Sequence, residues 1–326
     1  MPTSGISVVV PTRDTREVTL GCLASVAAAA RSTALEIIVV DDGSRDGTAE
    51  DVRARFPDAA IVRHQQPAGF TVAANAGLRR ATQPILLLLN SDTELAPDAI
   101  EALVGSFDRD PRLGIAGAQL VYPDGRPQWS GGRAPSLGWL FAESSGLARA
   151  LGRLPGYRRL RPLDSRGDRD VHWVTGAALA MRRAVWEEVG PLDEAFRLYG
   201  QDLDVCLRAR DRGWRVRILA SCRVLHHHGA TIARVFPQQG QRGRPGRQHP
   251  QSLWTDLVRW AEKRRGAAYA RRAGWAIAIG GRLRLVGRWL LTPTVPATLR
   301  DGWHGETREL RLALGALRGP GPGGRT

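Results

Sequence analysis

No uncharged stretch in this sequence of 326 residues approaches the roughly 20 apolar residues that a membrane-crossing helix requires. The first residues, Met1-Pro2-Thr3-Ser4, run straight into an apolar segment with no basic stretch ahead of it, so the expectation is a cytoplasmic protein without a secretory leader. Cysteine is scarce. Cys22, Cys206 and Cys222 form an odd set at unrelated spacings, which excludes a zinc pattern and suits reduced thiols with no assigned function. Lysine is scarcer still: Lys263 stands alone and the basic charge is otherwise arginine, as a coding bias would produce. No Gly-x-Gly-x-x-Gly follows the first apolar run, which argues against a dinucleotide-dependent dehydrogenase.

What is present in excess is positive charge, and its position matters more than its size. The net charge of +15 could signal a nucleic-acid binder. Residues 1–233, however, hold 29 Lys and Arg against 27 Asp and Glu, whereas residues 234–326 hold 18 against 5. The larger part is thus near neutral, and the tail carries the field. The length allows one full α/β core with an appendage. The division expected is a domain over 1–236 and a basic linker and helical region over 237–326.

Within the first region, strand and helix signals alternate, which predicts a doubly wound α/β arrangement with a mostly parallel sheet. Strands are predicted at Ile6–Val10, Ile37–Val40, Ile61–Val62 and Ile85–Leu89, because continuous β-branched or aliphatic runs suit strands buried on both faces. Helices are predicted at 19–30, 48–56, 72–81 and 97–107, the last with Pro97 in its first turn. Beyond Gly114 the alternation lapses. Residues 123–170 read as a long irregular excursion, of the kind usually functional. Order is expected to return at Val171–Met181, with a short helix at 184–189, a surface helix at 203–212, and two strand-like runs ending at His226-His227-His228. Residues 237–250, rich in Gln, Gly, Pro and Arg, read as a linker.

Two of the apolar runs end in acids: Val39-Val40 leads into Asp41-Asp42-Gly43-Ser44, and Leu88-Leu89 into Asn90-Ser91-Asp92. The carboxyl ends of strands are where open α/β sheets bind ligands. Acids there suit a base, a sugar hydroxyl or a metal carrying a diphosphate, so a nucleotide site is the leading expectation. The plainer alternatives are a helix cap at Ser44 or Asp46 and a simple strand-end turn.

The order of these pieces is informative as a set. Asp41-Asp42-Gly43-Ser44, then Gly69-Phe70 with Asn75 and Gly77, then Asn90-Ser91-Asp92, Trp173-Val174-Thr175-Gly176-Ala177, Asp193-Glu194, and Gln201-Asp202-Leu203-Asp204 with Leu207-Arg208 resembles family 2 glycosyltransferases over roughly residues 5–235. Within that family it is most similar to the rhamnosyltransferase-like branch. The resemblance implies the GT-A nucleotide-sugar-binding fold, Rossmann-like with a mostly parallel central sheet, here with a C-terminal helical basic extension. It also implies inversion at the anomeric centre of a nucleoside-diphosphate sugar, deoxythymidine diphosphate rhamnose first and a UDP-sugar second. The implied acceptor is a glycan or polyprenol-linked hydroxyl in surface polysaccharide synthesis.

The resemblance carries residue roles with it. It implies that Asp41 or Asp42 accepts a pyrimidine N–H while the Pro11-Thr12-Arg13 backbone lines the base, with Asn75 and Ser91 also on the donor side. Asp92 is the candidate ligand for Mg²⁺ or Mn²⁺, although the familiar Asp-x-Asp has become Asn-x-Asp and so offers fewer anionic ligands. Strand alternation puts His226 and His228 on one face and His227 on the other, which leaves His226 or His228 for the metal. Asp202 matches the second member of an acidic pair that serves as base, with Gln201 in place of the first. Trp173, beside Thr175 and Gly176, is a candidate sugar platform, with Trp129 ranked below it. Asp204 and Arg208 read as helix-dipole and i,i+4 positions.

Other function classes fit less well. A sugar-nucleotide pyrophosphorylase also uses strand-end acids, but it needs a glycine-rich basic loop where Pro11-Thr12-Arg13 stands. A non-catalytic nucleic-acid module would account for the tail and leave Asp41, Asp42, Asp92 and Asp202 without a purpose, so no nucleic-acid partner is expected. In the tail, Trp275, Ile279, Leu283, Val286 and Leu290 fall on one helical stripe, with Arg282, Arg284 and Arg288 assigned off it. That stripe can lie on an anionic membrane surface, the inner face of the cell membrane, or pack on the catalytic domain.

Overall fold

The structure, a computed structural model, describes residues 5–151, 167–196, 199–227, 250–296, 298 and 300–317. Two compact units divide the chain. The first comprises Met1–Arg133, Arg161–Arg197 and Gln201–Gln239, and the second Ala134–Leu160, Leu198–Gly200 and Gly240–Thr326. The second unit therefore takes in part of the long excursion as well as the tail, so the division does not fall at one point near residue 236.

The first unit is built on a mixed sheet. Its strands are β1 (Gly5–Thr12), β2 (Ala34–Asp41), β3 (Ala60–Arg63), β4 (Ile85–Leu89), β5 (Thr93–Leu95), β6 (Leu113–Val121), β8 (Arg169–Asp170), β10 (Ala178–Arg182) and β11 (Arg215–His226). They run in the order β3-β2-β1-β4-β10-β6-β11-β5, with β8 on β11. The pairs β1–β2, β2–β3, β1–β4 and β6–β11 are parallel, while β10 runs against both β4 and β6. The carboxyl ends of β1, β2, β4, β6 and β11 consequently share one edge. A separate two-stranded ribbon joins β7 (Gly131–Gly132) to β9 (Trp173–Val174).

Side-chain alternation explains the unbroken apolar runs. Ile6, Val8, Val10, Ile85, Leu87 and Leu89 face one core, where α1 (Arg16–Ala29) contributes Leu20, Leu23 and Val26 and α4 (Ala99–Arg109) contributes Ile100, Leu103 and Phe107. Val9, Ile38, Val40, Leu86 and Leu88 face the other, against Ala73, Ala74 and Leu78 of α3 (Phe70–Arg80). A strand covered on both faces has no position for a polar side chain to reach water. The helices α2 (Thr48–Arg55), α7 (Arg183–Val189) and α8 (Gln201–Asp211) complete this unit.

Several expectations are corrected. β6 is a full nine-residue strand where the alternation lapsed, hidden because Gly114, Ala116, Gly117 and Ala118 are small. They have to be small: a Cβ on Gly117 would lie 2.6 Å from Val174 Cβ, and one on Gly114 2.6 Å from Trp214 Cβ. Pro97 lies ahead of the N-cap Asp98 rather than inside helix α4. α8 is not a surface helix, since Leu203, Val205, Cys206, Leu207 and Ala209 are buried along it. The two strand-like runs before His226 are a single strand with a register shift between Leu219 and Arg223. The 237–249 linker lies outside the described residues.

The second unit is helical where described, comprising α5 (Leu137–Ser145), α6 (Ala148–Leu151), α9 (Pro250–Arg265), α10 (Ala267–Leu291) and α11 (Arg300–Ala316). Ser136 caps α5 by accepting from the Trp139 N–H, and Trp260 and Trp254 are buried in α9. No helix among the described residues is long and apolar enough to cross a membrane.

Candidate active site

The strand ends bring the predicted residues to one edge of the sheet. Thr12, last in β1, stands in register with Asp41, last in β2. Its buried hydroxyl lies 2.9 Å from that of Thr15 and 2.7 Å from that of Thr19, and Thr15 in turn reaches Ser91 at 3.3 Å. This hydroxyl cluster ties the end of β1 to the turn after β4. Asp14 adopts φ 49°, and its carboxylate accepts from the Arg45 N–H while its own N–H donates to Ser44, which joins the β1 and β2 loops. Arg13 lies beside Asp14 at 3.7 Å.

The two adjacent acids differ. Asp41 is fully buried; one oxygen accepts from the Ser44 N–H at 2.8 Å and the other faces Arg63 at 3.3 Å. Asp42 keeps 5% of its surface exposed. Its Oδ1 takes His64 Nδ1 and the Ala68 N–H, both at 2.8 Å, while among the described residues Oδ2 takes only the Gly69 N–H at 2.9 Å. A carboxylate oxygen has two lone pairs, so Oδ2 of Asp42 retains one. Asn75 is fully buried, and its amide exchanges hydrogen bonds with the Leu192 backbone and reaches Glu194 at 2.8 Å. That side chain fixes the 192–194 turn against α3, so any effect on a donor would pass through the turn.

The turn after β4 holds the metal candidates. Asp92 is 3% exposed, and its Oδ1 lies 3.4 Å from Nε2 of His226, itself 6% exposed. The orientation of His226 is set by a residue absent from the sequence reading, Gln128. The Gln128 amide N–H₂ donates to the His226 carbonyl at 2.6 Å, which fixes the amide's sense and leaves Oε1 to accept from Nδ1–H at 3.0 Å. The Nδ1-protonated tautomer then turns the lone pair of Nε2 towards Asp92. Asn90 adds a buried Oδ1 with no hydrogen-bond partner among the described residues. One carboxylate, one imidazole nitrogen and one neutral amide oxygen make a donor set that fits Mn²⁺ or Mg²⁺. No group of three His, Cys, Asp or Glu suited to a metal occurs among the described residues, in keeping with the Asn that replaces an acid. His228 lies outside the described residues, and His227 turns away to Glu94 at 2.8 Å.

The turn just ahead of β10 links this turn to Asp202. The Asn90 N–H donates to the Ala177 carbonyl, and next to it the Gly176 N–H donates to Oδ2 of Asp202 at 2.9 Å. Asp202 is half-buried in the first turn of α8, and its Oδ1 accepts from the Leu203 N–H at 2.8 Å. Its place in the first turn and the two backbone donors hold the carboxylate in one orientation. Gln201 is buried beside it. Asp204 instead pairs with Arg208 at 2.7 Å, and that guanidinium also binds the Val189 and Pro191 carbonyls, a structural clamp.

Trp173 and Trp129 form an edge-to-face pair with centroids 5.2 Å apart, and both keep partial exposure. Trp173 donates to the Arg133 carbonyl, and Thr175 donates its N–H to the Ser130 carbonyl. Gly131 permits the pairing: its φ is 149°, and a Cβ there would lie 2.3 Å from the Trp173 carbonyl oxygen. The three cysteines play no part, since burial pushes the thiols of Cys22 and Cys222 up to about 12 and raises that of Cys206 further.

Acids and an imidazole gather on the carboxyl edge of a mixed α/β sheet, where such sheets bind ligands, and comparison with known proteins gives the family. Residues 7–190 match glycosyl transferase family 2, and the chain belongs to that family and is a glycosyltransferase. An N-acetylglucosaminyl-diphospho-decaprenol L-rhamnosyltransferase of Mycobacterium tuberculosis is 29% identical over 220 residues, covering 61% of this chain and 69% of that protein. The O-antigen biosynthesis protein RfbC of Myxococcus xanthus is 27% identical over 234 residues, covering 70% of this chain but only 18% of that protein. Among solved structures, the mannosyltransferase PcManGT from Pyrobaculum calidifontis in complex with GDP-Man and Mn²⁺ aligns with 95% of this chain and 85% of its own. Its TM-score is 0.55 and its identity 17%. S. aureus TarS with UDP-GlcNAc aligns with a TM-score of 0.51 and 13% identity, over 95% of this chain and 81% of its own. These likenesses establish the GT-A fold.

Proposed function

We propose that the chain is an inverting enzyme that moves a rhamnosyl group from a deoxythymidine-diphosphate sugar to a hydroxyl of a polyprenol-linked glycan. The observation that carries the reading is the hydrogen-bonded path Asn90–Ala177 and Gly176–Asp202, which sets a candidate base beside the candidate diphosphate site. The similarity to a rhamnosyltransferase with a decaprenol-linked substrate supports the choice of sugar and acceptor.

In this reading the base of the nucleotide lies along the Pro11–Arg13 backbone, and Asp42, the member of the acidic pair with exposed surface and a spare lone pair, accepts its N–H. Asp92, His226 and the Asn90 amide oxygen would hold Mg²⁺ or Mn²⁺, which offsets the charge of the departing diphosphate. Asp202 takes the proton of the acceptor hydroxyl as its oxygen bonds to the anomeric carbon from the face opposite the diphosphate. The carbon–oxygen bond to the diphosphate breaks and its electron pair leaves with the phosphate, so the anomeric centre inverts. Trp173, Thr175 and Gln201 are assigned to the sugar and acceptor side.

The reading is tested by the thermal stability of the full chain with a panel of sugar nucleotides, with and without Mn²⁺. A donor at 100 times its Kd stabilises by about 2.7 kcal/mol, enough to stand clear of non-ligands. The expected result is stabilisation by deoxythymidine-diphosphate rhamnose that grows with Mn²⁺. Stabilisation by a UDP-hexose alone would replace the assigned donor.

A further inference from the structure

The helix α10 has two faces of opposite character. One is built from small residues and is covered: Ala270, Ala273, Ile277, Gly280 and Gly281 are buried. A Cβ on Gly280 would lie 2.8 Å from the Phe141 carbonyl of α5, and one on Gly281 2.7 Å from Leu314 of α11, so neighbouring helices approach the α10 backbone directly. The other face is bare. Trp275 is 69% exposed and Trp289 72%, and Ile279, Leu283, Val286 and Leu290 each keep more than half of their surface in solvent.

These residues recur at intervals of three and four, so they form one stripe about four turns long. The stripe predicted from the sequence exists, but it is not core packing. Arg282 also proves to lie on this face: it follows Trp275 by two turns and is exposed, as are Arg271 and Arg272 ahead of the stripe. Arg284 and Arg288 do lie off it: Arg284 sits beside Gly146, and Arg288 is buried against Glu306 at 2.7 Å and stacked on Trp303 at 3.8 Å. The whole helix contains no acidic residue.

We propose that the exposed face of α10 docks the chain on an anionic lipid bilayer, with the helix axis in the plane of the interface. A contiguous apolar surface of this extent in water marks an interaction site. Its occupant must accept six apolar side chains at one depth while offering negative charge, but no positive charge, to the arginines beside them. A layer of anionic headgroups over acyl chains does both, and tryptophan near each end of the stripe suits the boundary between the two. Nucleic acid would match the arginines and leave the aliphatic residues in water. The inference stands apart from the choice of donor and acceptor.

The test uses the full chain sedimented with phosphatidylcholine vesicles, with and without phosphatidylglycerol, at low and high salt. Because each arginine near an anionic surface contributes about 1 kcal/mol, replacing Arg271, Arg272 and Arg282 by Gln should weaken binding about 100-fold at low salt. Trp275→Ser with Trp289→Ser should weaken it at both salt concentrations. All of these side chains are exposed, so melting temperature should not change and confirms folding. The expected pattern is binding that requires phosphatidylglycerol, falls with salt and survives duplex DNA as competitor. Failure of the wild-type chain to sediment, or variants that bind like wild type, would overturn the proposal. So would displacement by DNA, or a wild-type dimer that the Trp substitutions dissociate while vesicle binding is unchanged.

Discussion

Two backbone N–H groups help to orient Asp202, Gly176 on one oxygen and Leu203 on the other. Asp202→Asn keeps an oxygen for one of these N–H groups and sets its amide N–H₂ against the other, a local cost of about 1–3 kcal/mol, while it removes proton acceptance, so turnover should fall about 100-fold or more with donor Kd nearly unchanged. Steady-state kinetics together with calorimetric donor titration reads both quantities; near-normal turnover would move the base elsewhere. Gln128 acts one step away. Gln128→Leu removes the acceptor on His226 Nδ1 and should weaken Mn²⁺ affinity by about 10- to 100-fold, measured by direct Mn²⁺ titration, with Asp92→Ala as the severe comparison. At this scale Asp92, Asp202 and His226 were legible because acids at strand ends and helix starts carry a chemical signal. Gln128 was not: a lone glutamine has no pattern, and its partner lies 98 positions away.

Elements were legible where burial is two-sided. Ile85–Leu89 is continuous apolar sequence and matches β4 residue for residue, whereas β6, built of glycine and alanine beneath Val174 and Trp214, gives no such signal. The surface reading of α8 failed because Asp204 neutralises Arg208, whose guanidinium also donates to neighbouring carbonyls, which hides a mostly buried helix behind charged letters. Contacts between elements also set a pH dependence. Glu101 on α4 accepts from the Ser32 N–H, which does most to hold its carboxyl below the usual value, and from the Thr33 hydroxyl and N–H. A carboxyl depressed in the folded state contributes stability above its unfolded pKa, and that stability is lost as pH falls through the folded value. Glu101→Gln should therefore lower stability by about 1 kcal/mol near neutrality, the worth of one such hydrogen bond. Urea unfolding curves of the two proteins should converge only at pH values well under the usual glutamate value of about 4.3, as pH falls through the depressed folded value; a constant gap would assign the effect to packing.

Over the whole molecule, the charge asymmetry was legible and the partition was not. The excursion after residue 133 contributes α5 to the same compact unit as the tail, and Gly280 sits against the Phe141 carbonyl and Ser144 of α5, so a cut at residue 237 would strip from α5 the helix it packs on. Nothing in 123–170 signals that partnership, because α5 is short and its partner lies more than a hundred residues ahead. The family is fixed by the match over residues 7–190 and the fold by the sheet, while the sugar moved and the hydroxyl that receives it are proposals supported by the similarity to a rhamnosyltransferase. The most direct measurement incubates the full chain with deoxythymidine-diphosphate rhamnose, Mn²⁺ and N-acetylglucosaminyl-diphospho-decaprenol, and reads the new glycosidic bond by NMR. The account predicts a rhamnosylated lipid with the anomeric configuration opposite to that of the donor. A product that retains the donor's configuration, or no transfer from this donor to this acceptor, would contradict it.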